Sequence, residues 1–334
     1  MKPSELSLYL SKIINQNIKL SVMIWGAPGI GKSSIVTEAC QSNGLDIIDL
    51  RLSQLAPTDL RGLPVPKDKH SSWLPPEFLP TEGKGILFLD EINMAPPAMQ
   101  GIAQQLILDR RVGSYILPDG WFVWAAGNRK EHKSAVYDMP SPLANRFIHL
   151  NVELSSEDFR QFAYTKNFHE NIIAFVAFRE DLLHKIMDGE SAWPSPRSWE
   201  MANILKSSEL DIAPAVGTGP ASEFYAFLDI IEKTPDLDKV AQGNFSIEFP
   251  IEPSLRYATV MGLVGRSKKS ETAIKCFNWL VDKAPAEWVQ LFATDLFPQL
   301  RRLGELEPVH KALMEEPKLK AFLNDFIQLM NGPE

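Results

Sequence analysis

The stretch that most constrains this chain is Gly26–Ser33, "GAPGIGKS", with the spacing G-x-x-x-x-G-K-[ST]. An apolar run, "SVMIW", precedes it and a helix-forming run, "SSIVTEAC", follows. A strand, a glycine-rich turn and a helix in that order wrap the backbone around an anion, because N–H groups can point inward and the helix start adds its positive end. The expected phosphate-binding set is therefore Gly26, Ala27, Pro28, Gly29, Ile30, Gly31, Lys32, Ser33 and Ser34. In such a site the lysine neutralises the β- and γ-phosphates and the Ser33 hydroxyl is a ligand for Mg²⁺. A merely flexible glycine loop would not call for the Lys–Ser pair.

The rest of the first half supplies a sheet for that loop. Residues 4–15 repeat apolar positions at helical spacing, "LDIIDL", "GILFLD" and "WFVWAAG" read as buried strands, and "PPAMQGIAQQLILD" reads as a helix opened by proline. Apolar strands alternating with helices predict an α/β fold, a parallel sheet covered on both faces. "LAPTDLRGLPVPKDKHSSWLPPEFLP" carries six prolines and is too long for an ordinary connection, so it is expected to be functional or a folded insert. "RRVGSYILPDG" reads as a small hairpin. Beyond about residue 150, amphipathic helices replace strands and predict a second, helical region. There "IAPAVGTGPAS" reads as a Gly/Pro-rich connector, and residues from about 270 onward as short helices broken by prolines.

"GILFLDE" ends a buried strand in two acids, and ligands of an open α/β sheet sit at that edge. Asp90 would then hold Mg²⁺ through water, and Glu91 would orient and polarise the attacking water; the competing reading is a helix N-cap for "INMAPPAMQ". "WFVWAAGN" ends a further strand in Asn128, within reach of the γ-phosphate or the lytic water, or simply a turn residue. This series of loop, "LFLDE" and "AAGN" resembles the AAA+ ATPases, with Asn128 as their sensor 1. "INMAPPAMQGIAQQLILDRRVGSYILPDGWFVWAAGN" and "SPLANRF" look like the MoxR group within them.

The resemblance covers residues 20 to about 230 and implies a P-loop AAA+ parallel five-stranded sheet in the order 5-1-4-3-2. Helices on both faces, a helical lid and a C-terminal helical extension complete the implied fold. The expected domains are 1–152 for the nucleotide-binding part, 153–235 for the lid and 236–334 for the extension. The segment 55–82 and the hairpin before Asn128 become surfaces for a partner or a ring pore. In "WPSPRSW", Arg197 resembles sensor 2, which leans over the γ-phosphate from a lid helix; otherwise Trp193 and Trp199 pack a core and Arg197 is a solvated cap. In "PLANRF", Arg146 resembles the arginine finger that reaches a neighbouring subunit's nucleotide. The bland reading of Arg146 is a cation at a helix C-terminus. Asn145 stands where the family often has Asp, and Arg110, Arg111 and Arg129 compete for the same interface.

The resemblance thus implies an ATP- and Mg²⁺-dependent ring, expected to be hexameric, acting on a protein target, with a von Willebrand factor A domain protein as a possible partner. A net charge of −8 and a pI near 5.4 argue against a broad footprint for nucleic acid, so a DNA-associated motor is the second reading and a nucleotide-dependent switch the third. No base-contacting residue is legible that would separate ATP from GTP. Cys40 and Cys276 lie far apart, which fits a reducing compartment, and no apolar run approaches the ~18 residues of a membrane span. A cytoplasmic location is expected. His70, His132, His149, His169, His184 and His310 show no metal-ligand spacing.

Overall fold

A computed structural model describes residues 1–68, 70–129, 137–187 and 189–315. The chain divides into two compact units, Met1–Ser155 and Ser156–Glu334. The first begins with α1 (Pro3–Asn15), β1 (Ser21–Trp25), α2 (Lys32–Ser42) and β2 (Asp46–Arg51). After the insert come β5 (Gly85–Asp90), α4 (Pro97–Asp109), β8 (Trp121–Gly127), α5 (Ser141–Ala144) and β9 (Phe147–Asn151). Five parallel strands run in the spatial order β2-β5-β8-β1-β9, which is the expected 5-1-4-3-2 arrangement read from the other edge. The five-stranded parallel sheet with helices on both faces is the P-loop arrangement that the resemblance implies, and a C-terminal helical region follows it.

Strand alternation explains why helices must cover both faces. Leu87 and Leu89 of β5 and Val123 and Ala125 of β8 face one core with Met99, Ile102 and Leu106 of α4 and Leu143 of α5. The intervening Ile86, Phe88, Phe122 and Trp124 face the other, with Leu6 and Leu10 of α1 and Val36 of α2. Burying each large apolar side chain contributes about 1.5–3 kcal/mol. The polar residues that end β5 and β8, Asp90 and Asn128, are thereby set at one edge of a rigid sheet.

The proline-rich segment is a folded insert. It forms α3 (Pro57–Arg61) and an antiparallel pair, β3 (Leu63–Lys67) and β4 (His70–Leu74), in which Pro64 and Pro66 occur in a two-stranded ribbon that a central strand would not tolerate. The second hairpin, β6 (Arg111–Val112) with β7 (Tyr115–Ile116), is tied to it: Ser114 Oγ donates to the Trp73 carbonyl at 2.7 Å and Tyr115 Oη to the Pro80 carbonyl at 2.6 Å. Leu63, Leu74 and Ile116 remain exposed on these hairpins.

The second unit consists of α6 (Ser156–Thr165), α7 (Glu170–Phe178), α8 (Pro196–Ser207), α9 (Ala213–Val216), α10 (Thr218–Ile231) and α11 (Leu237–Ala241). It continues through α12 (Pro253–Arg266), α13 (Ser270–Lys283), α14 (Ala286–Leu303) and α15 (Leu306–Glu315). One core runs from Phe159 to Leu313, with Phe175 packed against Trp199, Phe224 and Phe227. Its buried ion pair joins α6 to α14: Arg160 Nε donates to Asp295 Oδ2 at 2.7 Å and Nη2 to Oδ1 at 3.1 Å. Burial works against the charge of Arg160, and the Asp295 carboxylate outweighs it, raising the guanidinium pKa.

Two expectations are corrected here. "IAPAVGTGPAS" is not a connector: Pro214 and Pro220 fall in the first turns of α9 and α10, where the missing N–H has no helical acceptor to lose. Pro298 does not break the last part into short helices but lies inside the 18-residue α14. The apolar stripe Trp288, Val289, Phe292, Leu296 and Leu300 continues across it, and its burial outweighs the roughly 3 kcal/mol an internal proline costs. Cys40 and Cys276 are free and buried, and burial pushes both thiols up to about 11. No helix among the described residues is long and apolar enough to cross a membrane.

Candidate functional site

The loop Gly26–Gly31 leaves the sheet where β1 ends. Its root is fixed on both sides, by Gly26 N–H donating to the Gly127 carbonyl and Val152 N–H to the Trp25 carbonyl. Gly29 and Gly31 have φ of 79° and 94°, a region that disfavours any side chain, and this lets the chain turn into α2. The first turn of α2 leaves the N–H groups of Lys32, Ser33 and Ser34 without intrahelical acceptors. Ser34 has an exposed side chain, so its offering to an anion is its backbone.

Around this loop the expected residues of the first unit converge. Lys32 is buried, and its Nζ donates to the Gly26 and Ala27 carbonyls and to Asn128 Oδ1 at 2.8 Å. The Ser33 hydroxyl donates to Asp90 Oδ2 at 2.6 Å. Asp90 Oδ1 accepts the N–H of Glu91, so both carboxylate oxygens are oriented. Glu91 sits at φ 53°, ψ 34°, a left-handed conformation uncommon outside glycine, at the head of a short turn Ile92–Met94. It occupies the N-cap position but its side chain makes no capping bond, so the structural alternative for this acid does not use its carboxylate.

Asn93, which the sequence did not single out, holds the far side of the site. Its Nδ2 donates to the Asn128 carbonyl at 2.6 Å and its Oδ1 accepts the Asn128 N–H at 3.3 Å, both in the interior. A Cβ on Gly127 would lie 2.5 Å from Asn93 Oδ1, so glycine is required there for the close approach. The turn after Glu91 is thus clamped to the backbone of Asn128. Asp49 on β2 was also missed. Although the residue is exposed, partial desolvation of its carboxyl first, then the negative charge of Asp90, pushes it above the usual range; Arg51, paired across from Asp90, pulls the other way, and Glu91 adds to the rise.

The arginines separate into different environments. Arg146 follows α5 and directly precedes β9; its Nη1 donates to the Pro142 carbonyl, and its Nε is buried with no acceptor among the described residues. Arg110 is committed within its own unit, with Nη2 donating to the Pro118 and Trp121 carbonyls at 2.9 and 2.8 Å. Arg129 bonds Asn151 and lies over the Trp25 ring, 5.1 Å from its centroid, while Arg111 is exposed. Arg197 belongs to the helical unit. It is exposed in the first turn of α8, behind a capping box in which Ser195 Oγ accepts the Ser198 N–H and Ser198 Oγ the Ser195 N–H. Trp199 is fully buried, its indole N–H on the Leu182 carbonyl, and Trp193 packs edge-on to His184.

His132 lies outside the described residues; among those described, no group of three or more His, Cys, Asp or Glu could hold a metal ion.

Residues 21–140 match the family model for the AAA domain (dynein-related subfamily). Over 150 residues, 41% of this chain, the sequence is 26% identical to midasin of Giardia intestinalis, and the matched part is 3% of that protein's length. Among solved structures, the RuvB Holliday junction branch migration motor of Thermotoga maritima is 18% identical, with a TM-score of 0.42 over 72% of this chain and 73% of that one. NtrX from Brucella abortus, solved in complex with ADP, is 14% identical, with a TM-score of 0.41 over 90% of this chain and 68% of that one.

Proposed function

We propose that the protein, through the AAA domain matched over residues 21–140, is a magnesium-dependent ATP hydrolase of the AAA+ class that acts as a ring. The observation that carries this reading is the joining of three strand ends at one loop: Lys32 to Asn128 at 2.8 Å, Ser33 to Asp90 at 2.6 Å, and Glu91 beside them. Lys32 offers its ammonium to the β- and γ-phosphates, which compete with the Gly26 and Ala27 carbonyls and Asn128 for its protons. The Ser33 hydroxyl and Asp90 carboxylate are hard oxygen donors of the type Mg²⁺ takes alongside water and phosphate oxygens. When bound, the ion neutralises charge developing on the phosphates. Glu91, its carboxylate free of a capping bond, is the group that polarises the attacking water, and Asn128 faces that water or the γ-phosphate.

In this reading residues 153–235 are the lid, with Arg197 as sensor 2, and residues 236–334 extend it. Arg146 is the arginine finger, supplied to a neighbouring subunit of a ring that the MoxR-like motifs suggest is hexameric. Its place in "PLANRF", between α5 and β9, supports that role. Among the described residues the Arg110 and Arg129 side chains each hold two partners within the unit and that of Arg146 one, which favours Arg146 over them. The target is a protein that the ring remodels or activates in the cytoplasm, and a partner carrying a von Willebrand factor A domain fits the group. The exposed Leu63, Leu74 and Ile116 on two tethered hairpins support a protein-binding surface.

The test is Glu91→Gln. Turnover should fall by about 10²–10⁴ while ATP affinity is kept, measured by phosphate release and by equilibrium binding. Normal turnover would remove Glu91 from its role and with it this assignment of the site.

A further inference from the structure

Trp25 and His149 form a bridge that neither the loop chemistry nor the sheet requires. Trp25 is the last residue of β1, immediately before Gly26. His149 lies on β9, and the parallel register pairs Met23 with His149, so Trp25 is its same-face neighbour one step further along. The two rings stack at 6.1 Å with an 11° interplanar angle, and Trp25 Nε1–H donates to His149 Nδ1 at 2.8 Å. An indole nitrogen only donates, so Nδ1 is the acceptor and the ring proton sits on Nε2. His149 Nε2 stands 2.8 Å from the Ala144 carbonyl and therefore donates to it. That carbonyl is the last of α5, one that a helix leaves without an internal partner. Arg146 follows two residues later, its N–H bound to the Leu143 carbonyl of the same turn.

We propose that Trp25 and His149 are positioning residues for Arg146, joining the root of a subunit's own phosphate loop to the turn from which it offers an arginine to its neighbour. The inference rests on the trans role given to Arg146 above. The side chain of Arg146 is long, and α5 has only four residues, whose backbone bonds run from Ala144 to Pro140, Asn145 to Ser141 and Arg146 to Leu143 and leave the Ala144 carbonyl for a side chain. The imidazole caps that end and the indole holds the imidazole. Arg129, at the exit of β8, lies over the indole and is itself tied to Asn151 of β9. Elements that contact a subunit's own nucleotide loop, the ends of β1 and β8, thereby set where the turn carrying Arg146 stands.

Mixed rings test the direction of this link. Lys32→Ala subunits mixed with Arg146→Ala subunits should recover ATPase activity at interfaces that combine an intact loop with an intact arginine. Adding His149→Phe to the Lys32→Ala subunit, which supplies the arginine, should reduce the recovered rate about tenfold. The same change in the Arg146→Ala subunit, which supplies the loop, should leave it intact. His149→Gln can accept from Trp25 and donate to Ala144 and should restore the rate. Equal loss in both placements, or no loss in either, overturns the positioning role while leaving the trans role of Arg146 in place. A control mixture without recovery overturns both. Melting curves of the His149→Phe protein identify a general folding defect, which would appear in both placements alike.

Discussion

Lys32 and Arg160 are both buried cations, one in each unit, and the hydrogen bonds of their side chains differ in kind. Lys32 donates to two loop carbonyls and a side-chain amide, neutral oxygens grouped around a glycine turn. Arg160 donates two bonds to a single carboxylate that is itself fully buried, and a third to Ser156. Bonds of the first kind can be exchanged for a phosphate oxygen with little net loss. Exchange in the second pair would leave a charge uncompensated in the interior. Similar burial therefore marks a group poised for a ligand in the α/β unit and a fastener between α6 and α14 in the helical unit.

Removing each cation site should separate these roles. Lys32→Ala is expected to lower ATP turnover by about 10³ while the calorimetric transition of the helical unit stays where it was. Loss of that transition would mean that the lysine is structural. Asp295→Ala should do the reverse. It leaves the Arg160 guanidinium with the exposed Glu180, 3.5 Å away, in place of a buried carboxylate and should cost the helical unit about 3 kcal/mol in denaturant unfolding, with nucleotide affinity unchanged in a fluorescent-nucleotide titration. A parallel fall in affinity would break the comparison by making the ion pair part of the nucleotide response.

The difference between the units also decides what could be read from the sequence. Lys32, Ser33, Asp90, Glu91 and Asn128 were legible because each stands at a punctuation mark: a glycine turn, or a polar residue closing an apolar strand. The alternation of strands and helices pointed to a parallel sheet, and its strand order was legible only through the family resemblance. Asn93 was not legible, since its two bonds depend on β5 and β8 being neighbours, a fact carried by no local pattern. Asp49 likewise gains its surroundings only from the register of β2 on β5. Arg160 and Asp295 are 135 residues apart, and either alone reads as a surface charge on an amphipathic helix. Proline misled where tertiary packing overrode local preference, as at Pro298 in α14.

Asn93 sharpens the comparison most finely, because it is a buried polar group in the α/β unit that behaves like the fastener of the helical one. Its amide saturates both the N–H and the carbonyl of Asn128, so the side chain of Asn128 is aimed at Lys32 by a clamp from the turn that begins at Glu91. Asn93→Ala leaves two backbone groups unpaired in the interior and should cost about 2 kcal/mol in stability. If the clamp serves only the fold, turnover measured well below the melting temperature will match the parent protein. If it keeps Asn128 and Glu91 in a shared geometry, turnover should fall about tenfold with ATP affinity preserved, since a small misplacement of a positioned group costs rate before it costs binding. Asn93→Asp keeps the acceptor for the Asn128 N–H and loses the donor. An intermediate rate in that variant would tie the effect to the pair of bonds and not to the cavity that alanine leaves.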